Sequence, residues 1–315
     1  PEQYAAYVRS VVTYETAAPA ALPHGREASF FGTRHLLDRA TQLSADALVR
    51  PLVEGAPANG PLPAYPPVTA DSGFRLRSWI GATATKAELT GIFAPPPGQK
   101  PPAFLLTASH GLGFNNGDPN QAAAQGALLC QDWQLRYSVA PQHYFAAADL
   151  PAEAHLHGLV AFLFACFGGG TPTYDRFTAL EHGKPAQLAP RPFFAGLPKA
   201  LLSHPNGGAL AVIGHVDRAW GFSIQNPGAL PQIDAFRNTV QRILNGNPVG
   251  HAIQDFNFRY ADLSIQVSSF IEEKLYYRKN VPDDKIAVAW VQRNDAEGYV
   301  VLGDPAVRLR AAELV

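Results

Sequence analysis

The chain has 315 residues but only two cysteines and no methionine. Two cysteines cannot build a disulfide framework, which excludes a disulfide-stapled secreted scaffold. Charge is also scarce: Asp, Glu, Lys and Arg make up 16% of the residues and the formal net charge is -1. That leaves no basic face of the kind that binds nucleic acid or an anionic bilayer. No apolar run approaches the roughly 20 residues needed to cross a membrane, and no basic segment followed by an apolar one opens the sequence. These absences predict a reducing, cytoplasmic setting without contact to nucleic acid or membrane. A chain that begins at Pro1 and holds no methionine reads as a piece of a longer protein, a processed form or a trimmed one.

What is present is apolar mass, 47% of the residues, enough for a full core. Strand-like and helix-like segments alternate, the pattern of a layered α/β sheet. Strands are predicted over 8–14, where a helix over 4–12 fits nearly as well, and over 74–80, 103–108, 158–165, 208–214 and 299–302. Helices are predicted over 34–53, 86–93, 193–202, 232–244 and 253–277. The runs at 103–108 and 158–165 are continuously apolar, as strands covered on both faces must be, and are expected at the sheet centre. Residues 56–67, dense in Pro and Gly, read as a loop. The 315 residues are taken as a single domain, with residues 1–70 as a candidate N-terminal extension or subdomain.

Two segments carry chemistry. Leu105 to Gly111 (LLTASHG) and Leu163 to Gly170 (LFACFGGG) each run as a strand and break at the C-terminal end, the first at His110-Gly111 and the second at Cys166 before three glycines. Open parallel sheets present reactive groups at those ends. A histidine and a cysteine on successive strands can meet as nucleophile and acid/base partner. The three glycines are expected to admit a substrate backbone. Cys166 would attack a peptide carbonyl, His110 would protonate the leaving amine, and the amides of Gly111 and Cys166 would hold the oxyanion. Cys130, inside an apolar run, reads as core. The sequence singles out no carboxylate as a third member.

Ser109-His110-Gly111, the pair Asp118 and Gly126, Ala165-Cys166-Phe167-Gly168-Gly169 and Val301-Leu302-Gly303-Asp304-Pro305 together resemble the caspase-like cysteine peptidases, most closely the bacterial gingipain-type and CHAT-type members, over residues 74–309. The resemblance implies a three-layer sandwich of about six mostly parallel strands flanked by helices, a Cys-His dyad of Cys166 and His110, and no metal or other cofactor. It also implies a protein or peptide substrate and a regulatory domain or partner. The Gln and Arg that flank the nucleophile of caspases are replaced by Phe164 and Phe167, so aspartate specificity is unsupported. By the same resemblance Trp220 is the candidate aromatic wall for the residue preceding the scissile bond. Asp217 is a candidate partner for a basic residue there, weighed against an exposed loop aspartate that only caps, and Asp132 is a weaker candidate.

Two other readings compete. Phe164 to Gly168 is one glycine short of the elbow of an α/β-hydrolase with a cysteine nucleophile, an ester or lactone hydrolase whose acid and base would be Asp217 and His251. A caspase-like fold can also serve as an inactive interaction platform. His155-Leu156-His157 places two imidazoles on one side of an extended segment, and a solvated edge explains them better than a metal. No glycine pattern has phosphate-binding spacing.

Overall fold

The computed structural model describes residues 1–60, 63–134, 137–177, 184–226 and 228–315. Its centre is a six-stranded sheet built from β1 (Gly25–Gly32), β2 (Arg75–Ile80), β3 (Pro102–Ala108), β4 (Val160–Phe164), β5 (Ala211–His215) and β6 (Tyr299–Gly303). The order across the sheet is β6-β5-β4-β3-β1-β2. All neighbours are parallel except β6, which runs antiparallel to β5. The labelled helices are α1 (Glu2–Thr16), α2 (Arg39–Ser44), α3 (Lys86–Phe93), α4 (Gly196–Leu202), α5 (Asp234–Leu244), α6 (Gln254–Leu275) and α7 (Asp283–Glu297). Among the described residues no helix is long and apolar enough to cross a membrane.

The apolar runs expected at the sheet centre are β3 and β4, adjacent at its middle, and alternation along them and β5 feeds two cores. Phe104, Leu106 and Ala108 of β3, Phe162 and Phe164 of β4, and Ile213 of β5 face the larger core, which takes in Leu48, Leu52, Phe236, Val240 and Phe256 from the helical stretch 39–54 and from α5 and α6. Leu105, Ala161, Leu163 and Val212 point the other way, onto Leu89 and Phe93 of α3 and Leu197 and Leu201 of α4. The result is a three-layer α/β sandwich with β3 and β4 adjacent at its middle. Each fully buried Phe or Leu contributes about 1.5–3 kcal/mol, so the inner strands dominate stability.

Three elements depart from the sequence-based expectation. Residues 8–14 are not a strand: they belong to α1, which buries Ser10 and Tyr14 and leaves Val8 and Val12 exposed. This helix is held by polar contacts from its inner face, Ser10 Oγ donating to the Gly208 carbonyl and Tyr7 to that of Leu210, both at 2.8 Å. Val8 and Val12 sit outside while Val11 packs against the core, which is why the pattern misleads. Strand β1, unanticipated, lies inside the sheet between β3 and β2, so this part of the 1–70 stretch is built into the sheet rather than appended to it. It opens with charge, and Glu27 near that end is 2.8 Å from Arg75 and 3.5 Å from Arg77 on β2. Helix α7 is equally unanticipated. It packs against α6 as a hairpin between β5 and β6.

Candidate active site

Because β1, β3, β4 and β5 are parallel, their C-terminal ends share one edge of the sheet, and the segments that leave those ends meet there. Ala108 of β3 pairs in register with Phe164 of β4, and the Ser109 amide extends the ladder by donating to the Phe164 carbonyl at 3.2 Å. His110 and Cys166 therefore leave neighbouring strands at the same level. Gly111 fixes the approach: a Cβ on it would lie 1.8 Å from the Cys166 carbonyl oxygen. The two backbones thus touch where any other residue would force them apart. His110, Cys166, Ser109, Thr41 and Ala219 line a single cavity of about 50 Å³.

Sequence reasoning missed Asp38. It lies in the loop after β1 and caps α2, Oδ1 accepting from the Ala40 amide at 3.1 Å. Its other oxygen is 2.5 Å from His110 Nε2. Burial pushes the Asp38 carboxyl up, yet the adjacent His110, with its hydrogen bond and that of the Ala40 amide, holds it below the ordinary carboxylate range. A carboxylate accepting from Nε2–H leaves Nδ1 of His110 with the lone pair. The helix expected over 34–53 begins only at Arg39, so Asp38 is its cap and not an interior residue. A capping residue before Arg39 was the available signal, but only the neighbouring of β3 and β1 puts it beside His110.

Cys166 is partly exposed, and its thiol donates to the Ala219 carbonyl at 3.7 Å. Burial pushes this thiol above its ordinary value, so at rest it is protonated. Cys130 is sealed in the second core, and burial drives it up to about 12. The residue after Cys166, Phe167, has φ 58, and Asp217 has φ 77, both in the left-handed region that side chains other than glycine avoid. Such strain clusters at functional sites. The turn after Cys166 and Asp217 are tied together, the Phe167 amide donating to the Asp217 carbonyl at 2.7 Å and the Asp217 amide to that of Gly170 at 3.2 Å.

The glycines at 168–170 have another use than the one expected. They face the protein's own backbone rather than a substrate: a Cβ on Gly214 of β5 would lie 2.8 Å from the Gly169 nitrogen, and one on Gly170 would lie 2.7 Å from the Phe193 carbonyl oxygen. They let the turn after Cys166 ride across β5. Gly111 forms a bridge to Leu128 in which the hydrogen bonds belong to its neighbours, Leu129 donating to the His110 carbonyl and Leu112 to that of Ala127. Among the described residues, neither the Gly111 nor the Cys166 amide donates a hydrogen bond to the protein.

After β5 the chain supplies Asp217 to Trp220. Asp217 is buried, 3% exposed, and not the exposed loop residue expected. Oδ1 accepts from the Arg218 amide at 2.8 Å, while Oδ2 is buried with no hydrogen-bond partner. Burial pushes this carboxyl up. Trp220 is 39% exposed, its ring 5.7 Å from that of Phe177 and 6.3 Å from that of Phe222. With Arg39, Gln42 and Phe222 it lines a groove of about 540 Å³ that shares Ala40 and Gly221 with the small cavity. Asp132 caps α3, accepting from the Lys86 amide at 2.7 Å, and does not line the cavity. His251 follows Gly250, whose amide donates to the Pro305 carbonyl at the opposite edge of the sheet, where β5 begins and β6 ends, so it cannot serve as base to Cys166. His157 Nε2 lies 2.9 Å from the Ser10 carbonyl oxygen, a role in holding α1.

No known family's sequence profile matches the chain, and no curated protein matches it. A solved chain described as "Structure of Protease" is similar at 13% identity and a TM-score of 0.45, over 98% of this chain and 54% of that one. The chain thus spans about half the length of that structure.

Proposed function

We propose that this chain is a cysteine endopeptidase whose nucleophile is Cys166 and whose acid/base is His110, oriented by Asp38. The observation that carries the reading is the Gly111–Cys166 backbone contact, with His110 and Cys166 lining one cavity and Asp38 against His110 Nε2. A thiol kept neutral by burial is activated on demand: as sulfur attacks the peptide carbonyl carbon, its proton passes to His110 Nδ1. The Asp38 carboxylate stabilises the imidazolium that results. The oxyanion is held by the unspent amides of Gly111 and Cys166, and loss of one such donor costs about 10²–10³ in rate. The tetrahedral species collapses as His110 returns the proton to the leaving amine. Water, activated by the same imidazole, then frees the acyl group from sulfur.

Specificity is assigned to Trp220 and Asp217. The indole borders the groove beside Cys166. Asp217, three residues earlier, lines neither that groove nor the cavity, but one of its carboxylate oxygens is buried without a hydrogen-bond partner. A buried carboxylate oxygen left without a hydrogen bond is costly, and an arginine or lysine preceding the scissile bond would satisfy it once a side-chain movement opens a path to it. Asp132, occupied at the start of α3, has no part in this. The test is turnover of a fluorogenic peptide library by the parent and by Cys166→Ala. Cleavage after Arg or Lys by the parent alone is expected, and cleavage that survives Cys166→Ala refutes the assignment.

A further inference from the structure

Asp295 on α7 is a fully buried carboxylate for which the chemistry above has no use. Burying a carboxylate is costly unless hydrogen bonds compensate it, and apart from the buried His215 imidazole on β5, 3.6 Å from Oδ1, the groups that hold it centre on one segment. Oδ1 accepts from the Trp220 amide at 2.8 Å and Oδ2 from the Ser223 hydroxyl at 2.6 Å. Arg259 on α6 completes the grip: it donates to Ser223 Oγ at 3.2 Å and to the Phe222 carbonyl at 3.1 Å, and stands 3.6 Å from Asp295 Oδ2. The α6–α7 hairpin therefore grips the segment 219–223 at Trp220, Phe222 and Ser223. That segment carries the Trp220 wall and, at Ala219, the carbonyl that accepts from the Cys166 thiol.

We propose that Asp295 and Arg259 are positioning residues: acting through the 219–223 segment, they set how a substrate is seated and how freely the Cys166 thiol is reached. Seating of a peptide rests on the peptidase reading, whereas access to the thiol does not. Two readouts therefore separate the two ideas.

The experiment uses Arg259→Ala, Ser223→Ala and Asp295→Asn in the full chain, with Arg259→Lys as the conservative control. Native iodoacetamide labelling of Cys166 is compared with that of Cys130 by mass spectrometry, and KM and kcat are measured on the best peptide from the library. Arg259 is partly exposed and Ser223 small, so these two variants stay informative if Asp295→Asn fails to fold. The ratio of Cys166 to Cys130 labelling is expected to rise about fivefold, the factor that one lost hydrogen bond of ordinary strength gives, and Arg259→Lys should recover most of it. General loosening would expose both thiols and leave the ratio unchanged. KM should rise by a similar factor with kcat nearly constant. A ratio within about twofold of the parent in the folded variants, given the experimental scatter of single-bond effects, overturns the positioning role. A raised ratio in a chain that cleaves no peptide would leave it standing and remove the peptidase reading instead.

Discussion

Replacing Asp38 by Asn keeps the shape and the cap on α2 and removes one charge. The 2.5 Å contact to His110 Nε2 puts the carboxylate where it stabilises imidazolium during proton transfer. Unit charges about 4 Å apart at an effective dielectric of about 20 attract by about 4 kcal/mol. The His110 side chain is 38% exposed and that of Asp38 11%, so solvent screening reduces the figure to about 2 kcal/mol. Removing it should lower kcat about thirtyfold, with KM little changed because the substrate does not touch Asp38. Stability carries its own signature. The folded carboxyl titrates below its unfolded value, so the pair's contribution is complete above the ordinary carboxylate range and disappears as pH falls through the depressed folded value. Asp38→Asn should therefore melt lower than the parent at pH 7 and match it in strong acid. Steady-state kinetics with scanning calorimetry at several pH values measures both. An Asp38→Asn enzyme with parental kcat would refute the orientation of His110.

Four further outcomes are expected. Iodoacetamide should modify Cys166 well before Cys130 in the native protein, and Cys166 labelling should keep accelerating above the ordinary thiol range because burial raises its thiol. Gly111→Ala should abolish turnover and cost about 1–3 kcal/mol in denaturant unfolding, since the new methyl collides with the Cys166 backbone. Asp217→Asn should weaken the preference for Arg or Lys over Gln about tenfold or more. Because the folded carboxyl there is pushed up, its ionisation opposes folding at neutral pH, so the amide should raise Tm at pH 7 and lose that advantage in acid. Burial lowers His24 to about 4 from 6.5, so the unfolded chain binds a proton that the folded one refuses in this window. About 3 kcal/mol of stability should drain away as pH falls from 6.5 to 4, and His24→Asn should flatten that limb.

Strands β3, β4 and β5 were legible because a strand covered on both faces is nearly continuously apolar, as these are apart from Thr107 and the terminal His215. The His110 and Cys166 pair came from where those runs break. Strand β1 was illegible because charged residues stand near its start, Glu27 being held by arginines on β2 and by the Ser29 hydroxyl. Helix α1 misleads because Val8 and Val12 point outward while its inner face mixes Val11 and Tyr14 with polar Ser10. Asp38 could not be found from spacing alone: it meets His110 only because β1 inserts beside β3, and that strand order is a property of the whole sheet. Asp217 looked like a loop residue, and its burial comes from the turn after Cys166 folding over it.

The most direct test of the central claim is mass spectrometry of the protein after treatment with a peptidyl chloromethyl ketone ending in arginine. The account predicts one adduct, on Cys166, absent in His110→Ala and blocked by a competing arginyl peptide. Modification spread over both cysteines, or a Cys166 adduct that forms equally fast without His110, would contradict it.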